Sequence, residues 1–122
     1  MDMMTEVKTA DLIGPALDWA VAQAAGWTAS IQPVYTPSKT YYDIRSPSGL
    51  GLSPSKDWSQ CGPLIERFRI SIIYSDEVCD PCAWTDSTAA WHATSPIVAA
   101  CRAIVAAKLG DTVSIPAELV KP

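Results

Sequence analysis

The run SPIVAACRAIVAAKLG, residues 95–110, restricts what this chain can fold into more than any other segment. Ser95 offers an N-cap side chain, Pro96 suits the first helical position and Gly110 suits the stop, so the spacing predicts a helix over 95–109. Ile97, Val98, Cys101, Ile104, Val105 and Leu109 form a wide apolar arc, and the opposite side is all Ala. A helix with no polar face has to be covered on both sides, by other elements or by a second subunit. Arg102 sits at the border of the arc, and Lys108 lies near the C-terminal end, where a cation suits the helix dipole. A self-association surface on the Ala-rich side is therefore expected, giving a homo-oligomer.

The remaining elements have to supply that cover. GPALDWAVAQAAG, residues 14–26, reads as a second helix with Gly14 as N-cap, Pro15 at the first position and Gly26 just past the end. Its stripe is Leu17, Val21, Ala24 and Ala25. Trp19 is off the stripe, nearly opposite Leu17, so it either packs under another element or faces a groove. Two short strands are predicted at Ser30–Tyr35, kept to an edge by Pro33, and at Thr40–Arg45. Ser55 is expected to cap a helical turn over Lys56–Gln60, with Gly62-Pro63 starting another. RFRISIIYS, residues 67–75, alternates well and reads as a strand, with Phe68, Ile70, Ile72 and Tyr74 on one side. AWTDSTAAWHA, residues 83–93, is a further strand, and Asp76–Cys82 would be its hairpin connection. Val113 and Ile115 mark one last short strand. The 122 residues make one domain, 1–122. The order predicts an α+β fold, an antiparallel sheet of short strands with the N-terminal and C-terminal helices packed on one face.

Charge narrows the partners. Nine Lys and Arg against thirteen Asp and Glu, spread along the chain, exclude a general nucleic-acid binder. No apolar run approaches the length of a membrane span, and MDMMTEVKTADL has no apolar core of a signal peptide. A cytosolic protein with mostly reduced cysteines is expected, with no membrane partner.

The chemical motifs are sparse. CDPC, Cys79 to Cys82, has the C-x-x-C spacing of redox and zinc sites. Asp76, Glu77 and Asp80 surround it, and carboxylates raise thiol pKa values, which works against reactivity. A zinc site would need two more ligands from Cys61, Cys101 or His92. His92 is the only histidine and is tied to no Ser or Cys by a motif, so an enzyme would have to pair it with Asp57 or Asp86. The expectation is therefore a non-enzyme without metal or cofactor, with small-enzyme and zinc-protein readings resting on His92 or the Cys79/Cys82 pair. What remains is aromatic and polar together: Trp19, Tyr41, Tyr42, Trp58, Trp84 and Trp91 with Lys56, Asp57, Gln60, Arg67, Arg69 and Arg102. Such a set suits stacking on a planar ligand or anchoring a partner protein; the competing reading is that the indoles roof a small core.

Three blocks carry a family resemblance. LIGPALDWAVA, residues 12–22, resembles the LxGxALDWAVA opening of the phage NinX-like proteins, a domain of unknown function. SPSKDWSQCGPLIER, residues 53–67, resembles their YSPSxDWxxGGPIIER block, and TSPIVAACRAIVAAKLGDTVSIP, residues 94–116, resembles their closing TPLIAAMRAFVASKFGDEVEVP block. The blocks stand in order and span the chain nearly end to end. Cys61 stands for a usual Gly, Cys101 for a usual Met, and the CDPC region is inserted. The resemblance implies a small phage or prophage protein acting in the cytoplasm of the bacterial host, and no established activity. Asp18, Trp19, Asp57, Trp58, Gly62, Pro63, Glu66, Arg67 and Arg102 match the blocks. The expected site is Trp19, Lys56, Asp57, Trp58, Gln60, Arg67 and Arg102. It would hold a small planar or nucleotide-like ligand, in a counter-defence sequestering role, or else a host protein in the role of adaptor or inhibitor.

Overall fold

A computed structural model of the chain describes residues 3–74, 80–86 and 89–120. It is an α+β fold of three helices and seven short strands among those residues. The helix that the sequence marks most strongly lies at its centre: α3, Pro96–Leu109, is capped by Ser95, whose side chain accepts from the Val98 N–H. Ile97, Ala99, Ala100, Cys101, Ala103, Ile104 and Val105 are all buried. They are covered within the chain by α1 (Gly14–Ala25), by α2 (Trp58–Phe68) and by strands β4 (Ser71–Ile73), β5 (Cys82–Trp84) and β6 (Trp91–His92). On the alanine side Ala99, Ala100 and Ala103 are thus covered within the chain, while Ala106 is half-buried and Ala107 is exposed. Alanines on both α1 and α3 let their backbones close up, which larger residues would prevent.

α1 starts one residue earlier than expected, with Ile13 as the N-cap, and Gly26 ends it in the left-handed conformation (φ 78°) that glycine adopts without cost. Leu17, Ala20 and Val21 are fully buried, and Asp18 is buried with them. β2 (Ser30–Tyr35) and β3 (Thr40–Arg45) fall where predicted and form an antiparallel hairpin, Ser30 opposite Arg45 and Tyr35 opposite Thr40. Ile44 of β3 packs the hairpin onto the α1 side of the core.

The stretch after residue 53 differs most from expectation. Asp57, not Ser55, caps the helix, accepting from the Ser59 N–H. α2 then runs unbroken through Gly62-Pro63 to Phe68, so among the described residues the strand predicted over 67–75 survives only at Ser71–Ile73. Cys61, Leu64, Ile65 and Phe68 recur at helical spacing, and this period prevails over the alternation downstream. Arg69, at φ 57°, turns the chain out of the helix. Pro63 deprives the Ser59 carbonyl of its helical partner, but Ser59 is exposed and water can replace it.

The predicted single sheet is three small ones. β4, β5 and β6 form one, in that order and antiparallel, and the strand predicted over 83–93 is split between β5 and β6. The hairpin link expected at Asp76–Cys82 lies mostly outside the described residues, as does Cys79 of the CDPC motif. The third sheet pairs β1 (Met4–Lys8) with β7 (Thr112–Pro116), Met4 opposite Pro116 and Lys8 opposite Thr112. β7 was expected from Val113 and Ile115, which are buried; β1 was not expected, because four of its five residues are exposed. Thr9, fully buried, ties this sheet to the end of α3 by donating from Oγ1 to the Gly110 carbonyl at 2.7 Å. No helix among the described residues is long and apolar enough to cross a membrane.

Candidate functional site

The segment between β3 and α2, taken with the first turn of α2, carries four of the seven expected site residues, Lys56, Asp57, Trp58 and Gln60, and it is held by a chain of specific hydrogen bonds. Ser46–Leu50 closes a turn in which the Leu50 N–H donates to Ser46 Oγ and the Ser46 N–H donates to the Leu50 carbonyl. The strand then returns along β3, with the Leu52 N–H on the Ile44 carbonyl at 2.8 Å. Gln60 reaches back from α2 to clamp it. Its Oε1 accepts from the Ser53 N–H at 2.9 Å, and its Nε2 donates to the Gly51 carbonyl at 3.1 Å and to Asp57 Oδ2 at 3.2 Å. Asp57 Oδ1 meanwhile accepts from the Ser59 N–H and hydroxyl. These Ser59 bonds hold the Asp57 carboxyl below the usual carboxylate range. Two of the expected ligand contacts, Asp57 and Gln60, are therefore parts of the mount.

The third anchor comes from α1. Asp18 Oδ1 accepts from the Ser55 N–H at 2.8 Å in a buried position. Burial pushes the Asp18 carboxyl up from 3.8, opposed by the Ser55 hydrogen bonding and by the Lys56 charge. Of the Ser55 groups, the main-chain N–H is the one with good hydrogen-bond geometry; Ser55 Oγ is buried with no partner. This contact fastens the segment before α2 to α1. Asp18 was visible in the sequence only through the matching LDWAVA block; nothing in the periodicity marks a carboxylate as the buried anchor of a loop.

The two indoles have different fates. Trp19 is half-buried and packs on the core, as do Trp27 and Trp91. Of the five tryptophans only Trp58 is exposed, at 46%. It stands at the first turn of α2, directly after the Asp57 cap. Lys56 is exposed beside it in sequence. Leu50, exposed at 63%, lies on the same loop, next to the Gly51 carbonyl that Gln60 holds.

The arginines do not converge. Arg67 Nη1 donates to the Ala25 carbonyl at 2.8 Å, closing the C-terminal end of α1, and its guanidinium lies over the Phe68 ring. Arg102 Nε donates to the Leu12 carbonyl at 3.1 Å and Nη1 to the His92 carbonyl at 2.8 Å, joining the entry of α1 to β6. Partial burial draws the Arg102 pKa down, with the Asp11 charge opposing. Leu12 and Ala25 flank α1 at its two ends, roughly 20 Å apart at 1.5 Å per residue. One phosphate group cannot bridge guanidinia seated there. Arg102→Ala is expected to cost about 1–2 kcal/mol, read from urea unfolding, because two carbonyls lose a charged donor. Arg102→Lys should recover only part of this, since an ammonium lacks the fork that reaches both oxygens.

The motifs for other chemistries end up dispersed. His92 is exposed on β6, and its described bond is the backbone carbonyl that Arg102 holds. Cys82 is buried in β5. Among the described residues no group of three or more His, Cys, Asp and Glu is placed to hold a metal ion.

The family model described as "Bacteriophage P22, NinX" matches residues 8–108. No curated protein matches the chain.

Proposed function

The chain belongs to the bacteriophage P22 NinX family and is a phage accessory protein, and from that premise we propose that it is a non-enzymatic binding protein whose partner packs on Trp58. The carrying observation is an indole 46% exposed on a segment fixed by Asp18, Asp57 and Gln60. An exposed Trp on a loose loop loses freedom when it binds; on a fixed mount most of that cost is already met, which favours affinity. Trp is also the residue type most often found as the anchor of a protein interface. Leu50 supplies a second exposed apolar group, on the loop that Gln60 clamps to α2.

The arginine geometry narrows the partner. A nucleotide would need cationic groups converging on its phosphates, and Arg67 and Arg102 are spent on carbonyls at opposite ends of α1. An apolar side chain of a host protein fits an exposed indole without them, so adaptor or inhibitor of a host factor is the favoured role. A small planar ligand remains the second reading, favoured by the flat π-face that Trp58 presents.

The test is capture from bacterial lysate with immobilised protein, followed by native mass spectrometry of what is retained. Trp58→Ala is expected to weaken retention by at least ten-fold while leaving the unfolding midpoint within experimental scatter of the parent. A retained polypeptide supports the first role and a retained small molecule the second. Equal retention by parent and variant would remove Trp58 from the site.

A further inference from the structure

Two cysteines outside the CDPC motif meet inside the core. Cys61 lies on α2 and Cys101 on α3, 40 positions apart in sequence. Both are fully buried, and their sulfurs stand 3.8 Å apart, within thiol hydrogen-bond distance. A buried cysteine packs well as a small apolar group and needs no thiol neighbour. Here one thiol is aimed at another across a helix–helix contact. From this geometry we infer that Cys61 and Cys101 are a closable dithiol, a modification site at which a peroxide joins α2 to α3 through a disulfide.

The distance to be closed is small. A disulfide bond is about 2.05 Å long, so each sulfur has to travel about 0.9 Å. The hydrogen bond between the two thiols holds Cys61 below the ordinary thiol range and, together with burial, pushes Cys101 far above it. With Cys61 as the attacking thiolate the step balances, and the converse order gives the same disulfide. The Cys61 sulfur bonds to one oxygen of hydrogen peroxide, the O–O bond breaks, and the departing oxygen leaves as water after taking up a proton. The Cys101 sulfur then displaces the hydroxyl from the Cys61 sulfenic acid, and that hydroxyl departs with the Cys101 proton as a second water. Two thiols and one peroxide give one disulfide and two waters; each sulfur loses one electron and the peroxide gains two. A small oxidant suits a site shut off from solvent, because it enters through minor local openings.

The experiment uses the full chain carrying Cys79→Ser and Cys82→Ser, so that no other vicinal pair competes. The folded protein is treated with hydrogen peroxide, remaining thiols are blocked after denaturation, and peptides are mapped by mass spectrometry. The expected result is the loss of two hydrogens, a linked Cys61–Cys101 peptide reversed by dithiothreitol, and a Tm raised by about 5–15 °C. Cys61→Ala in the same background should abolish the loss of mass. The inference is overturned if both thiols stay free in the folded protein while the same treatment links them in the urea-unfolded chain. It is equally overturned if they oxidise separately to sulfinic acids. Because the linked peptide is sought in a chain that keeps both thiols, a poorly folding Cys61→Ala variant does not weaken the test.

Discussion

Ile104→Ala should lower the stability of the folded chain by about 2–5 kcal/mol. Ile104 is fully buried at the middle of α3, with α1, α2 and the β4–β5–β6 sheet packed around that helix. Truncation removes the transfer energy of three carbons and leaves a void that rigid neighbours fill poorly. For a domain of this size the loss corresponds to a Tm lower by roughly 8–20 °C. Chemical denaturation of parent and variant measures it. A loss below about 1 kcal/mol would mean that α3 is not the centre of the fold. Ala103→Leu, on the small-residue side of the same helix, should also destabilise, by about 1–3 kcal/mol, because the added carbons have no room between α3 and its neighbours. If that side were an open subunit seam, the variant would change association instead of folding.

The second large effect concerns Asp18. Asp18→Ala is expected to cost about 1–3 kcal/mol, because the Ser55 N–H then stays buried without an acceptor. Asp18→Asn keeps an oxygen acceptor and should cost less. The pair also separates by pH. The folded-state pKa of Asp18 is raised above 3.8 by burial, so the folded protein binds this proton more tightly than the unfolded chain does. Above the folded value, the cost of the buried charge is carried in full. As the pH falls from there towards 3.8, the folded state protonates first and the contribution of Asp18 to stability rises; below 3.8 both states are neutral and the rise is complete. Asp18→Asn has no charge to lose. Unfolding free energies of the two proteins between pH 7 and pH 3.5 should therefore shift in favour of the parent as the pH falls. A shift the other way would mean that the Ser55 bond outweighs burial.

Much of the fold could be read from the chain because some elements carry local instructions. Ser95-Pro96 and Gly110 bracket α3, Pro15 and Gly26 bracket α1, and both sets act through backbone geometry within a few residues. The β2–β3 hairpin is equally local, its ends fixed by a turn in which Thr36 and Lys39 exchange hydrogen bonds. Non-local elements were harder to read. β1 has little burial of its own and exists through its pairing with β7, more than a hundred residues away. α2 was obscured because Gly62-Pro63 signals a break and Phe68 to Tyr74 alternates, while the helical period of Cys61, Leu64, Ile65 and Phe68 matters only once α3 is present to cover it.

The candidate site was legible in its residue types and not in its roles. The sequence marks Asp57, Gln60, Arg67 and Arg102 as unusual polar groups near aromatics. It contains nothing to say that their partners are a serine N–H, a glycine carbonyl and the two ends of α1. Trp19 and Trp58 look alike in sequence, each beside an Asp, yet one covers the core and the other faces solvent. The adjacent carboxylates differ as well: Asp18 is buried and accepts from the Ser55 N–H, whereas Asp57 caps α2 at the surface.

The most direct measurement is amide hydrogen exchange across residues 51–61 of the native chain. If Asp18 and Gln60 fasten this segment, the Ser53 and Ser55 amides should be protected nearly as well as the amides of α1, with Asp18→Ala releasing Ser55 selectively. Exchange at the rate of an open loop in the parent protein would mean that Trp58 has no fixed mount, and the binding surface built on it would have no basis.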